Sequence, residues 1–487
     1  MRHGRLPDGF GVRIDPRVRA YSGGRILVGG SPARLLRLAP EAAALIGDGY
    51  LEVTDPTSAS VARRLLDSGV ANPRPRLLPA PEDVTVVVPY RDDHDGLVRL
   101  LAGLRGHSVV VVDDGSSRPV RLPADRGRCR VTVLRHDRAL GPAAARDSGL
   151  RAATTEFVAL LDPAVVPRAG WLEVMLGHFS DPEVALVAPR IVAHEAYTTV
   201  LGRYEHTRSE LDRGRREAEV SAGGAVPRVP DTALLVRRRA LLAAGGFTGT
   251  RPVTADSDPA ADLCARLERD GWRLRYEPAA RVTCDHPVSF GKWFARKVNH
   301  GAAEAPQARR TVAGPQQPPA PAWAAVAAIM LSSLTRWGLL GGVVTIAAAV
   351  LRLRRAFIEL DNPAEMAALC AGRALTAALW RLASAVCRNY WPLTVLAMLV
   401  SRRVRRIAVT MAVADGIADW YTHRDTGGLD PVRYVVCKRL DDLAYGTGVW
   451  WASLLSMLAA RAARRGRPEP APTPPPAPRR AAVLTCV

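Results

Sequence analysis

Lysine is almost missing from this chain. Lys292, Lys297 and Lys438 are three of 67 basic residues, and the rest are arginine. With Ala, Gly and Pro also abundant, part of the net charge of +20 reads as a compositional habit of the source genome. No recognised DNA- or RNA-binding motif accompanies that charge, so nucleic acid is not an expected partner. Paired cysteines are missing too. The seven, at 129, 264, 284, 370, 387, 437 and 486, are odd in number and include no CxxC. That argues against a zinc site or a disulfide framework and for a reducing, cytoplasmic compartment. The N-terminal MRHGRLPDGFGVRI lacks the apolar run of a secretory signal.

What is present points to several units. A length of 487 residues exceeds one ordinary domain, and 48% hydrophobic residues suffice for a buried core. Residues 1–75 form a first unit. GVRIDPRVRAYSGGRILVGG reads as a hairpin broken at Ser22-Gly23-Gly24. ARLLRLAPEAAALIGDG reads as a strand and then a helix with Pro40 in its first turn and Gly47 stopping it. Ser58 to Gly69 gives a second amphipathic helix, and the whole suggests a small α+β or winged-helix module. A proline-rich linker, 76–81, follows.

From 82 to 310 the pattern changes. VTVVVPY and VVVVDDG are unbroken Val-rich runs, as expected of parallel strands covered on both faces. Helical LVRLLAGLRG lies between them, and VTVLRH, GPAAARDSGLRAA and FVALLD continue the alternation. The expectation is a doubly wound α/β domain that binds ligand at the carboxyl ends of its strands. Asp113, Asp114, Gly115 and Ser116 end one run. Alone they would suit a solvated turn. At a strand end, two carboxylates that cannot be buried unpaired would accept hydrogen bonds from a base or ribose, with Gly115 letting the backbone turn closely. Gly141 and Arg146 are placed to approach phosphates, and Asp162 marks a further strand end.

The ordered series VVVPYRDD, DDGSS, GPAAARDSGL, FVALLD, DTALLVRRRALLAAGGF and DLCARL, ending in CDHP, resembles the inverting family-two glycosyltransferases of GT-A type. The resemblance implies that Pro89, Tyr90 and Asp92 line a uracil or ribose pocket and that Asp113 and Asp114 bind base and ribose. It implies that Arg146 pairs with the diphosphate of a UDP-sugar. Asp162 would reach a divalent metal, Mg or Mn, with His286 as a further ligand. Two positions depart from the family pattern. Ala164 stands where a second metal-binding carboxylate belongs, and Pro259-Ala260 where the Glu-Asp pair bearing the general base belongs. Asp256 and Asp258 are the nearest substitutes, with Asp258 the candidate base and Asp262 a weaker second choice; these aspartates also suit a helix cap.

The first unit resembles the PqqD-like peptide-recognition modules, in which an edge strand pairs with an extended peptide; RILVGG is the candidate. Joined to the family-two domain, it resembles the glycosyltransferases of the mycofactocin system. That implies transfer of a hexose, glucose by expectation, onto a peptide-derived redox cofactor.

Residues 311–465 hold apolar stretches: 323–334, 338–351, 391–400 and 449–460. Thr335, Arg336 and Trp337 interrupt the first two, each shorter than the roughly 20 residues of a spanning helix. Arginine clusters end the others, which suits attachment to an anionic membrane's inner face and equally a helical bundle packed on the catalytic domain. The tail, 466–487, is proline-rich and expected to be disordered. Three readings compete. The first is an active transferase on a small peptide-derived acceptor. The second is a membrane polysaccharide or glycolipid synthase, disfavoured because KWFARKVNHG lacks a QxxRW motif. The third is a catalytically weakened homologue that binds nucleotide sugar or peptide.

Overall fold

The computed structural model describes residues 4–31, 34–75, 84–104, 106–122, 129–193, 199–247, 259–284, 289–310, 321–358 and 362–465, with backbone alone at 303–310, 425–427 and 459–465. The linker 76–81, Asp258, His286 and the tail 466–487 lie outside the described residues.

The first unit contains β1 (Gly11–Ile14), β2 (Arg19–Tyr21), β3 (Ile26–Gly29), β4 (Arg34–Arg37), α1 (Pro40–Ala44), β5 (Tyr50–Glu52), α2 (Pro56–Asp67) and β6 (Ala71–Arg74). Two antiparallel three-stranded sheets result, ordered β5-β1-β6 and β2-β3-β4. The expected hairpin is β2–β3, and β1 belongs to the other sheet. Asp55 starts α2: its carboxylate accepts N–H bonds from Thr57 (2.7 Å) and Ser58 (2.8 Å), and the Ser58 hydroxyl accepts from Asp55 N–H (2.9 Å). Phe10, Val12, Leu27, Leu51 and Leu65 make the core. One expectation is corrected. RILVGG forms β3, the central strand, with β2 on one side and β4 on the other. Its backbone is already paired on both sides, so it offers no free edge to a peptide.

The second unit begins with β7 (Val84–Tyr90), α3 (His94–Gly103), β8 (Ser108–Asp114), β9 (Arg130–His136), α4 (Pro142–Ala152) and β10 (Phe157–Leu161). β10, β7, β8 and β9 lie side by side and parallel. Then follow β11 (Val165–Pro167), α5 (Trp171–Gly177), β12 (Val184–Ala193), α6 (Val200–Thr207), β13 (Ala218–Glu219), β14 (Ala233–Arg237), α7 (Arg238–Ala243), α8 (Pro259–Arg269), β15 (Arg273–Cys284) and α9 (Phe290–Arg310). The sheet runs β11-β15-β12-β14-β10-β7-β8-β9, with β13 on β15. The doubly wound expectation holds for the β10-to-β9 half. Beyond it the sheet is mixed, because β14 runs antiparallel to both β10 and β12. Alternate valines of β7 and β8 face opposite layers. Val86, Val88 and Val111 meet α3 and α5 through Leu97, Leu100 and Met175. Val87, Val110 and Val112 meet α4 and α8 through Leu150 and Leu263.

The last region holds α10 (Ala322–Ser332), α11 (Arg336–Ala356), α12 (Pro363–Ser384), α13 (Trp391–Val400), α14 (Arg402–Gly427) and α15 (Pro431–Arg465). α9 runs along α15 and α6 touches α14, so this region is joined to the sheet domain. Tyr204, Trp293 and Tyr434 are fully buried at the joint. Lys297 lies among them with Glu205 (3.0 Å), Glu210 (2.9 Å) and Asp441 (3.4 Å). Residues 335–337 do not break an apolar stretch; they start a helix. The Thr335 hydroxyl accepts the Gly338 N–H (3.0 Å), and α11 then continues for 21 residues. By length and composition it is the one helix among the described residues able to cross a membrane.

Candidate active site

The mouths of β7, β8 and β10 lie at one end of the sheet, because these strands are parallel and adjacent. Asp113 pairs in register with Tyr90, and both are buried. Asp113 accepts N–H bonds from Ser116 (3.0 Å) and Val120 (3.1 Å) and ion-pairs with Arg135. Burial pushes its carboxyl up, but those donors outweigh burial and hold it below the usual range. Asp114 accepts from Leu140 N–H (2.8 Å), Gly141 N–H (2.8 Å) and His136 Nδ1 (2.8 Å). The balance is the same: burial raises its pKa, and His136 and the two N–H groups lower it further.

Both carboxylates thus carry protein donors, and Asp114 takes the backbone N–H groups at the start of α4. The sequence-based role for the pair was contact with base and ribose. In this structure they also brace the loops at the strand mouths. Gly115 belongs to that bracing. Its φ is +64°, and a Cβ there would stand 2.4 Å from Ala139 N and 2.5 Å from Arg138 C. Asp92 has a left-handed φ of +55° and ties the two loops together, accepting from Ser117 N–H (2.9 Å) and Ser117 hydroxyl (2.7 Å). Tyr90 lies beside it. Burial raises its phenol, and the charges of Asp113, Asp92 and Asp93 add to the rise. Pro89 sits one residue earlier, buried within β7 opposite Val112.

Arg146 projects from α4 and is 2% exposed. One guanidinium nitrogen donates to Asp162 (2.6 Å), the other to Asp231 (2.6 Å), and the plane lies over the Phe247 ring at 5.6 Å. Its Nε is buried without a partner. Burial lowers the Arg146 pKa, yet the two carboxylates overcome that and raise it, so the cation is permanent. Asp162 is pushed up to about 6, first by burial, with Arg146 opposing and Asp231 adding to the rise. Asp162 and Asp231 meet because β10 and β14 are antiparallel: Ala233 opposes Leu161, and the Asp162 N–H bonds to the Thr232 carbonyl (2.9 Å).

Sequence reasoning missed Asp231. Its signal was there, a carboxylate two residues before the apolar run ALLVR, but the antiparallel pairing that carries it to Asp162 cannot be read from one strand. Ala164, where a second carboxylate was sought, is a partly buried apolar residue packed on the core. Among the described residues no group of three or more His, Cys, Asp or Glu forms a metal cage. Two carboxylates at one mouth nevertheless suit magnesium-type chemistry, in which one or two protein carboxylates and substrate phosphates share the ion.

Asp262 lies in the first turn of α8 and ion-pairs with Arg266 (2.8 Å). Arg266 in turn donates to the carbonyls of Ala244 and Gly246 (2.7 Å), pinning α8 to the GGF turn. Asp262 is therefore engaged in holding that turn. The turn reaches the site through Asp147, buried on α4, which accepts the Phe247 N–H (2.7 Å).

The chain matches the family described as Glycosyl transferase family 2 over residues 85–243. A pre-mycofactocin glycosyltransferase from Mycobacterium tuberculosis (strain CDC 1551 / Oshkosh) is 47% identical over 453 residues, which cover 92% of this chain and 96% of the relative. Its counterpart in strain H37Rv matches to the same extent. A succinoglycan biosynthesis protein from Rhizobium meliloti is 33% identical over 90 residues, 17% of this chain and 26% of its own length. Among solved structures, a mannosyltransferase from Pyrobaculum calidifontis in complex with GDP-Man and Mn2+ is 19% identical, covering 63% of this chain and 89% of its own at a TM-score of 0.34. A likeness at that score carries no functional argument. The fold is of GT-A type with a mixed α/β sheet. By its identity along nearly the whole length of both chains, this protein belongs to the pre-mycofactocin glycosyltransferases, enzymes of glycosyl transfer in pre-mycofactocin biosynthesis.

Proposed function

We propose that the enzyme moves a hexose, glucose by expectation, from a UDP-sugar to a hydroxyl of a peptide-derived redox cofactor by a single inverting displacement. The observation that carries the donor side is Arg146 clamped between Asp162 and Asp231 at the strand mouths. The acceptor oxygen forms the new bond to the anomeric carbon as the bond to the diphosphate oxygen breaks. The electron pair leaves with UDP, and the acceptor proton passes to a base. A divalent Mg or Mn ion would be held by Asp162 and Asp231 and would neutralise charge on the departing diphosphate. Arg146 keeps the two carboxylates in place and supplies a fixed cation beside them. Asp92 and Tyr90 form the wall for uracil and ribose, with Asp113, Asp114 and Gly115 setting the loop. Asp258, just ahead of α8, is the candidate base, and His286 a further ligand of the ion or phosphate.

The test is UDP release from UDP-glucose by the full chain with Mn2+, with and without acceptor. Wild type is expected to release UDP faster with acceptor, and Asp258→Asn to lose at least about 100-fold in kcat with little change in KM. Unchanged transfer by Asp258→Asn removes the base assignment. UDP binding with no turnover by wild type would favour the weakened homologue, a reading that Ala164 and the engaged Asp262 motivate.

We also propose peripheral attachment to an anionic membrane on the cytoplasmic face. Supporting it, Trp337, Leu340, Val343 and Val344 of α11 are exposed, and Arg352, Arg354 and Arg355 follow them on the same helix.

A further inference from the structure

Two adjoining cavities open where the first unit meets the mixed half of the sheet, with volumes of about 860 and 1750 Å3. Asp15, Arg17, Asn72 and Arg190 line both, so the two form one cleft. The smaller is lined by eleven arginines against six carboxylates. Several of these arginines are neutralised in place: Arg17 by Asp15 (2.8 Å), Arg190 by Asp212 (2.6 Å), and in the larger cavity Arg74 by Glu217. Others are not. Arg215, Arg216 and Arg281 stand exposed on the lips of both cavities and form no ion pair among the described residues.

The floor carries a second, independent sign. Arg275 is 5% exposed, makes one side-chain hydrogen bond, to Asn72 Oδ1 at 3.3 Å, and leaves its Nε without a partner. A buried N–H such as the Arg275 Nε is rarely left unmade, and it costs free energy unless something completes it. The cleft also sits close to the strand mouths. Val165 pairs with Cys284, and three residues on, the Arg168 N–H bonds to the Arg281 carbonyl (3.0 Å). Three residues of extended strand put that lip roughly 10 Å from the Val165–Cys284 pair.

We propose that this cleft is a second binding site, distinct from the donor site, for an organic polyanion bearing at least two carboxylate or phosphate groups. The planar forks of Arg215, Arg216 and Arg281 would grip one anionic group at the lip. Arg275 would meet another from below. The proposal goes beyond the transferase reading and does not depend on it.

The test is calorimetric titration of the full chain at constant ionic strength with citrate, with inorganic pyrophosphate and with monovalent acetate. Citrate or pyrophosphate is expected to bind and acetate not to. The triple variant Arg215→Gln/Arg216→Gln/Arg281→Gln is expected to weaken binding at least about tenfold. All three positions are exposed, so the fold should be retained, and UDP release from UDP-glucose should be unchanged. A charge-matched control, Arg402→Gln/Arg405→Gln/Arg406→Gln on α14, should bind as wild type. Preference for citrate assigns the ligand's groups as carboxylates and preference for pyrophosphate as phosphates. Absence of binding by either anion overturns the proposal, as does equal loss in the control variant. Binding that survives the triple substitution and vanishes when UDP is added belongs to the donor site and overturns it as well. Loss of UDP release by wild type, with cleft binding intact, would count against the transferase reading alone.

Discussion

β7 and α11 are both apolar, and they end in opposite surroundings. Every residue of β7, VTVVVPY, is buried. In α11 only 11% of the most apolar window is buried, and Trp337 stands 71% exposed. The difference lies in what each element can cover. A strand between β8 and β10, with helices on both faces, has neighbours on four sides. Among the described residues α11 packs chiefly on α10 and α12, and Leu339, Leu340, Val343, Val344 and Leu351 stay exposed. Apolar sequence thus reports a demand for cover, and the fold decides whether the chain itself meets it.

The sharpest way to break the comparison is at the joint that holds the helices to the sheet domain. Lys297, 1% exposed, sits among Glu205, Glu210 and Asp441. Burial pulls its pKa down, and the three carboxylates raise it above the ordinary value, so it is charged. Lys297→Met removes the buried cation from Glu205, which keeps Arg296 and the Trp293 N–H, and from the partly buried Glu210 and Asp441, and is expected to cost about 3–5 kcal/mol. Urea denaturation followed by tryptophan fluorescence reads it, since Trp293 is at the joint. A loss under about 1 kcal/mol would mean that the helices merely lean on the domain.

Next in size is Gly115→Ala, on the buried side of the comparison. The left-handed φ and the 2.4 Å approach of Ala139 N leave no room for a Cβ. The expected cost is about 2–3 kcal/mol, with donor affinity falling as the loop moves. Donor affinity equal to wild type would separate this loop from the site.

These two expectations differ in how far the sequence disclosed them. Gly115 was legible because a buried strand that runs into Asp-Asp-Gly has few ways to end. Lys297 was not, since its three partners come from positions 205, 210 and 441, which no local pattern connects. The same division runs through the rest. The Val-rich parallel half was readable, because strands covered on both faces need no alternation. The antiparallel insertion of β14 was not, and with it went Asp231. RILVGG was sought at an edge because the resemblance to peptide-recognition modules implies an edge strand that pairs with a peptide, but strand order is a property of the assembled sheet. Thr335 read as an interruption since capping and breaking use the same residue types.

Asp162 offers a smaller effect with a defined sign. Its carboxyl is raised from 3.8 to about 6 in the folded protein. A raised pKa means that protonation favours the fold. That contribution is complete below about pH 4 and is lost as pH rises through 6. Asp162→Asn cannot titrate, so the stability of wild type relative to this variant should fall between pH 4 and 7. Thermal melts of both proteins at matched ionic strength check it. A constant difference across that range would mean that Arg146 holds Asp162 ionised throughout.

The smallest expected effect tests the exposed side directly. If the open faces of α11 and α13 meet a lipid surface, the arginines that follow should meet its headgroups. Arg402 and Arg405 begin α14, just past Val400, which is 90% exposed. A single Arg405→Gln substitution removes about 1 kcal/mol of attraction, near fivefold in partitioning, to vesicles containing phosphatidylserine. Sedimentation with such vesicles at low salt should show that drop. It should shrink as salt rises, because the Debye length falls to about 8 Å at physiological ionic strength. With neutral vesicles the variant and wild type should partition alike, since the apolar contribution is the same in both. Equal loss with neutral and anionic vesicles would place Arg405 in the packing of the bundle, and the bare face of α11 would then await a protein partner in place of a membrane.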